Sequence, residues 1–192
     1  MSELEFEAYG PEGDASQHRS GEEIDALFAA LPAPPKQSGR LVLIVRRHPD
    51  GRRERLDTTL LTPEEGVPGD GWNRRPPRDL DAQLAVMRID IAEILAAGQD
   101  VTIAGDNLFV DLDVSAENLP TGTRLRAGAA TFEVTPQPHN GCKKFSGRFG
   151  NDALRFVSDL ATRNQNRRGL YFKVVLAGAV VAGDTLEVVS RP

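Results

Sequence analysis

The sequence predicts a mainly β fold: a mostly antiparallel, barrel-like sheet with about three helices. Two observations lead there. The apolar residues fall in seven or eight short runs that cluster as hairpins and are punctuated by glycine turns. Those runs do not alternate regularly with helical segments, which disfavours a doubly wound parallel sheet. No internal repeat is present. The 192 residues, 40% apolar and 27% charged, suit one compact domain plus a tail, and are too few for two full domains.

Residues 1–19 carry few large apolar side chains and read as a mobile tail. Ser20 and Glu23 have capping-box spacing, and Ile24, Leu27, Phe28 and Leu31 share one helical face. Pro32, Pro34 and Pro35 end that helix and stiffen a linker. The helix is expected to pack on the domain, because a lone amphipathic helix is marginal in water. Residues 1–39 thus read as an acidic tail, short helix and Pro-rich linker, and 40–192 as the barrel domain.

Leu41 to Arg46 reads as a buried strand, Pro49-Asp50-Gly51 as a turn, and Glu54 to Leu60 as the returning strand. Residues 62–79 read as a loop with Pro63, Pro68, Pro76, Pro77 and an Arg74-Arg75 pair; so long a loop is often functional. Gln83 to Met87 is a short strand. Asp90 and Glu93 cap a helix with Ile91, Ile94 and Leu95 on one face, ended by Gly98. Asp100 to Ala104 reads as a strand, and Arg124 to Ala127 and Thr131 to Thr135 as strands around the Gly128 turn. Asn151 or Asp152 caps a helix whose apolar face is Leu154, Val157, Leu160 and Ala161. Gly169 to Leu176 and Thr185 to Val189, joined through Gly178 and Gly183, are the last strands.

Composition narrows the function. No apolar run approaches the roughly 20 residues that cross a bilayer, and the acidic start (Glu3, Glu5, Glu7) is unlike a secretory signal. The single cysteine, Cys142, rules out an intrachain disulfide, a paired-cysteine zinc site and a Cys-x-x-Cys redox centre; the reducing cytoplasm is the simplest location. Residues 1–35 hold eight acids and one base, −7, and the remainder sums to +2, giving the net −5. A near-neutral domain argues against broad nucleic-acid binding. Of 23 basic residues 19 are arginine, which reads as codon bias or as planar recognition of an oxyanion.

Cys142 is the one soft nucleophile. It lies in His139-Asn140-Gly141-Cys142-Lys143-Lys144, on a loop after a strand and two prolines. Lys143, Lys144 and Arg148 favour the thiolate, the form that attacks or ligates metal. The plain reading is an ordinary thiol. A Cys142–His139 acyl-transfer dyad lacks an identifiable supporting acid, and Cys142 with His18, His48 and His139 lacks zinc-ligand spacing. Gly66-Val67-Pro68-Gly69-Asp70-Gly71 and Gly105-Asp106-Asn107-Leu108 let backbone amides approach a ligand, but neither has phosphate-loop or dinucleotide-loop spacing.

In order, these pieces resemble the MOSC domain family, named after the C-terminal domain of molybdenum cofactor sulfurase. Gly66 to Asp70 is similar to the family's early glycine-aspartate loop. Gly105-Asp106-Asn107-Leu108 and Leu119-Pro120-Thr121-Gly122 resemble its central segment, and Cys142-Lys143-Lys144-Phe145 its cysteine-x-lysine-hydrophobic site. Arg168 to Val175 and Gly183 to Leu186 resemble its closing strands. The resemblance spans roughly 60–189. Asp106 stands where glutamate is usual, Gly71-Trp72 follows Asp70 where many members carry histidine, and residues 1–39 have no counterpart.

The resemblance implies a β-rich barrel and a bound molybdenum cofactor, the pterin molybdopterin. Cys142 would supply a thiolate to molybdenum or carry sulfur destined for it, as suits a soft donor. Asp70, Asn107, Lys143, Lys144, Arg168 and the Arg74-Arg75 loop would hold pterin and phosphate, with Asn107 on the pterin edge. One reading is an oxidoreductase that reduces N-hydroxylated or N-oxygenated small molecules, fed by a separate electron-donating reductase because no flavin or nicotinamide motif is visible. The alternative is a carrier of sulfur, as a Cys142 persulfide received from a sulfur donor, or of the cofactor. A third is a binding module docking through its acidic N-terminal segment. Pyridoxal phosphate is not expected, since only about 40 residues precede the domain.

Overall fold

A computed structural model describes residues 11–74 and 77–192. The described residues hold ten strands: β1 (Ser38–Arg47), β2 (Arg53–Leu56), β3 (Thr58–Leu61), β4 (Leu84–Arg88), β5 (Leu108–Asp111), β6 (Arg124–Ala127), β7 (Ala130–Val134), β8 (Leu170–Leu176), β9 (Gly178–Val181) and β10 (Thr185–Ser190). The helices are α1 (Gly21–Ala29), the one-turn α2 (Gly71–Arg74), α3 (Ile89–Ala96), α4 (Lys143–Phe149) and α5 (Asn151–Ser158). The sheet runs β10-β6-β7-β8-β4-β5-β1, and β1 pairs back onto β10, closing a seven-stranded barrel. β2 adds to β1 outside the ring, and β3 and β9 form a separate ribbon. Every pairing is antiparallel except β4–β5, whose parallel connection runs through α3. The mainly β, mostly antiparallel barrel is as the sequence indicates; the helices are more numerous.

The strand pattern shows why the barrel forms. In β5, Leu108 and Val110 face the barrel interior while Phe109 between them packs outward under the helices. β4 is buried at all five positions for the same reason. The interior is filled by side chains such as Leu84, Val86, Phe132 and Phe172, with the last two rings stacked 5.7 Å apart. A second cluster, including Ile91, Leu95, Phe145 and Phe149, binds α3 and α4 to the outer wall.

Several elements differ from the sequence reading. Asp100 to Ala104 is not a strand: Asp100 accepts from the Thr102 amide and caps a 3₁₀ turn, which Gly105 ends with φ 89°. The strand follows instead at β5. Glu54 to Leu60 is broken at Asp57, because β2 pairs with β1 and β3 with β9. The helix from Asn151 stops at Ser158, where Asp159 caps a 3₁₀ segment; Leu160 is 79% exposed, and Ala153 and Phe156 are the buried face. α1 carries the expected capping box and packs through Ile24, Phe28 and Leu31. Residues 1–10 lie outside the described residues, but 11–18 do not project as a tail. His18 Nε2 lies 3.2 Å from the Arg148 carbonyl, the Asp14 amide donates to Gln99, and the Pro11 carbonyl accepts from Arg148 Nε at 3.1 Å.

Candidate functional site

One end of the barrel carries a cavity of about 500 Å³, reached by the end of β1, α2, the Gly105 loop, the 138–142 segment and α4. Its wall is built from the strand ends outward. The Arg47 amide and Nε both donate to Asp70 Oδ1, at 2.7 and 3.0 Å, and Nη2 donates to Oδ2 at 2.5 Å. Nε also donates to Oδ2 at 3.2 Å, and the Trp72 amide adds a fifth bond to Asp70. Arg47 Nη1 reaches the Gly105 carbonyl at 3.1 Å, so one guanidinium ties two loops together. Burial alone would raise Asp70, but the Arg47 charge, its hydrogen bonds and two amides outweigh it and hold the carboxyl below its ordinary range. Burial opposes the Arg47 charge too, and Asp70 and Asp106 overcome it, leaving Arg47 above the ordinary arginine value.

Behind the cavity lies a second pair. Arg168 Nη1 donates to both oxygens of fully buried Asp106, at 3.0 and 2.9 Å, and the guanidinium lies 4.8 Å from the Phe145 ring centre. Arg168 Nε is buried without a hydrogen-bond partner among the described residues. His139 Nδ1 stands 3.6 Å from Asp106 Oδ1, also without a hydrogen bond, and the ring leans on Tyr171 at 4.4 Å. Burial, then the Arg168 and Arg47 charges, push His139 well below the usual histidine range, so the ring is neutral at pH 7. Burial and Asp106 raise the Tyr171 phenol.

Cys142 is exposed and sits at the N-cap of α4, a helix the sequence reading left as loop. It lines the cavity together with Lys144, Arg148 and Arg168. Burial lowers Arg148 from the ordinary arginine value, against the opposing influence of Cys142.

The structure brings together three of the site residues read from sequence: Cys142, Lys144 and Arg168. Arg74, also named there, lines the same cavity. Asp70 stands behind the wall, on Arg47. Asn107 is fully buried between strands, accepting from the Ala85 amide at 3.2 Å and donating to the Val45 carbonyl at 3.3 Å. Lys143 is exposed and outside the cavity lining. Arg75 lies outside the described residues. Arg47, Trp72 and Tyr171 went unmarked as site residues; Arg47 is one arginine among 19, and its only signal is that excess. No cluster of three or more His, Cys, Asp or Glu side chains fit to hold a metal ion occurs among the described residues. No helix among them is long and apolar enough to cross a membrane.

The fold is shared with YuaD of Bacillus subtilis (TM-score 0.58, 16% identity, covering 81% of this chain and 97% of that one). It is shared with YiiM of Escherichia coli (TM-score 0.52, 26% identity, 80% and 71%) and of Geobacillus stearothermophilus (TM-score 0.54, 17% identity, 80% and 76%). The search of curated proteins gave no match. The MOSC domain profile matches residues 70–187, which run from the buried Asp70 through Cys142 to the closing strand β10. The chain therefore belongs to the MOSC domain family.

Proposed function

We propose that the protein binds the molybdenum cofactor in the 500 Å³ cavity, with Cys142 as the protein ligand to molybdenum, and reduces N-hydroxylated or N-oxygenated small molecules. The family is one associated with that cofactor. The observation that carries the reading is the single cysteine of the chain standing on a cavity walled by arginines.

The donor set fits the group. Arg168 Nε is a buried donor with no hydrogen-bond partner among the described residues, and Lys144 and Arg148 lie on the same wall, a setting for a phosphate and for polar pterin edges. A thiolate is a soft ligand suited to a sulfur-bound metal. When bound, the cofactor would supply two-electron redox chemistry. This chain's part is to hold and orient. The Arg47–Asp70 and Arg168–Asp106 pairs fix two guanidiniums before any ligand arrives, so little ordering is left for binding to bear. Electrons come from a separate reductase. We place the protein in the cytoplasm.

The exposure of Cys142 favours a second reading, a sulfur or cofactor carrier, since an accessible sulfur is what a donor protein would meet. The experiment is metal analysis of protein made in a cofactor-competent host, beside Cys142→Ala. Near-stoichiometric molybdenum in the wild type, lost in the variant, is expected, with turnover of an N-hydroxylated base by the loaded wild type. Molybdenum missing from both, while a control molybdoenzyme is loaded, rejects the enzyme and moves the search to a persulfide on Cys142.

A further inference from the structure

Three arginines of the cavity wall meet around the Gly105 loop. Arg47 is gripped by Asp70 and Arg168 by Asp106. Arg148, on α4, is 7% exposed and donates to main-chain carbonyls: Nε to Pro11 at 3.1 Å and Nη1 to Ala104 at 3.4 Å. Gly105 leaves room for its head, since a Cβ there would stand 3.1 Å from Nη1. The Arg168 and Arg47 charges oppose a third guanidinium at this spot, while Cys142 and Asp106 favour it. A long cationic side chain turns to water unless its head is held.

The Pro11 carbonyl comes from a segment well before the matched region 70–187. That segment is pressed onto α4. Pro11 and Gly13 are half-buried while Glu12 and Asp14 between and beyond them are exposed. Gly13 runs so close that a Cβ would overlap the Arg148 main chain. Two side chains fasten the stretch. The Asp14 amide donates to Gln99, and the His18 ring lies over Gly150 with Nε2 3.2 Å from the Arg148 carbonyl. Next in the chain, the Gly21 amide donates to Asp152 on α5 at 3.1 Å. The strap thus meets both the backbone and the guanidinium of Arg148, yet residues 11–18 do not line the cavity.

We propose that the 11–18 strap is a positioning element of the anion site: it holds the Arg148 guanidinium on the cavity wall, so the cavity's grip on a phosphate depends on a segment that never touches it. The inference rests on the anion-binding part of the reading above. Pro11 and Gly13 act through Arg148.

Inorganic phosphate is the probe, read by Trp72 fluorescence at low salt in the full chain. Two variants loosen the strap by different routes: Gly13→Val, and Gln99→Ala combined with His18→Ala, which puts no new atom against Arg148. Each should weaken phosphate binding about fivefold, and Arg148→Met at least as much. In the Arg148→Met background neither should weaken it further. Wild-type affinity in both strap variants would overturn the proposal. So would strap losses that persist undiminished without Arg148, or a wild type that binds no phosphate. Should Gly13→Val fail to fold, the Gln99 and His18 pair decides. Molybdenum content, measured on the same proteins from a cofactor-competent host, separates the two readings. Coupling to Arg148 in a wild type that takes up no molybdenum would end the enzyme reading and leave the strap. A fully loaded wild type without that coupling would do the reverse.

Discussion

At the level of single residues, the site depends on carboxylates that never meet the cavity. Asp70 is 1% exposed and accepts five hydrogen bonds from Arg47 and Trp72. Removing its charge leaves Arg47 without its partner, so Asp70→Asn should cost about 3–5 kcal/mol near neutral pH. Because the folded carboxyl is held below its unfolded value, that stabilisation is complete above the unfolded pKa, near 3.9. It is lost as pH falls through the folded one. Denaturant titrations should therefore show the gap between wild type and variant closing below about pH 4; a gap under about 1 kcal/mol at pH 7 would show the pair to be dispensable. The sequence marked Asp70 and Asn107 by their motifs, but motif and spacing carry no information about whether a side chain faces a ligand or a strand. Asn107 turned out to join β4 and β1 through Ala85 and Val45. Cys142, Lys144 and Arg168 were legible because their chemistry is rare or clustered in this chain. Arg47 was hidden by the abundance of its own kind.

Among the elements, the N-terminal strap was the least legible. Residues 11–18 have no apolar periodicity, and what holds them is contact with the backbone and side chain of Arg148 and with Gln99. A Cβ on Gly13 would come within 2.0 Å of the Arg148 carbonyl oxygen. Gly13→Val should lift the strap, cost about 1–3 kcal/mol, and speed tryptic cleavage after Arg19 several-fold; an unchanged cleavage rate would show that the strap does not need that contact. The helices that follow apolar periodicity, α1 and α3, were readable, as were the hairpin strands β6 and β7 around Gly128. The misses have local causes. Val101 and Ile103 look like strand residues, but the Asp100 cap and Gly105 turn impose a tighter coil. α4 is short, opens with two lysines and contains Gly147, so its burial of Phe145 and Phe149 gave little helical signal.

The whole molecule combines a net charge of −5 with a cavity lined by Arg47, Arg148, Arg168 and Lys144. Inorganic phosphate should bind there and be felt by Trp72, the one tryptophan of the chain, which lies on the cavity wall. Its fluorescence should report an affinity that weakens several-fold between about 10 and 150 mM salt, as the screening length contracts from about 30 to 8 Å. A salt-independent affinity would mean that the arginines are not what phosphate meets. The barrel itself was legible as a class from short runs and glycine turns; its closure was not, since pairing of distant strands leaves no local trace. That closure joins Ser38–Arg40 of β1 to Thr185–Glu187 of β10. A chain made from its N-terminus therefore holds an open curved sheet until its last strand emerges, and only then acquires a continuous wall. Cys142, Arg148 and Arg168 are all synthesised before that strand. The wall is thus continuous only once β10 has paired with β1, so a ligand that depends on the closed barrel is held only after that pairing.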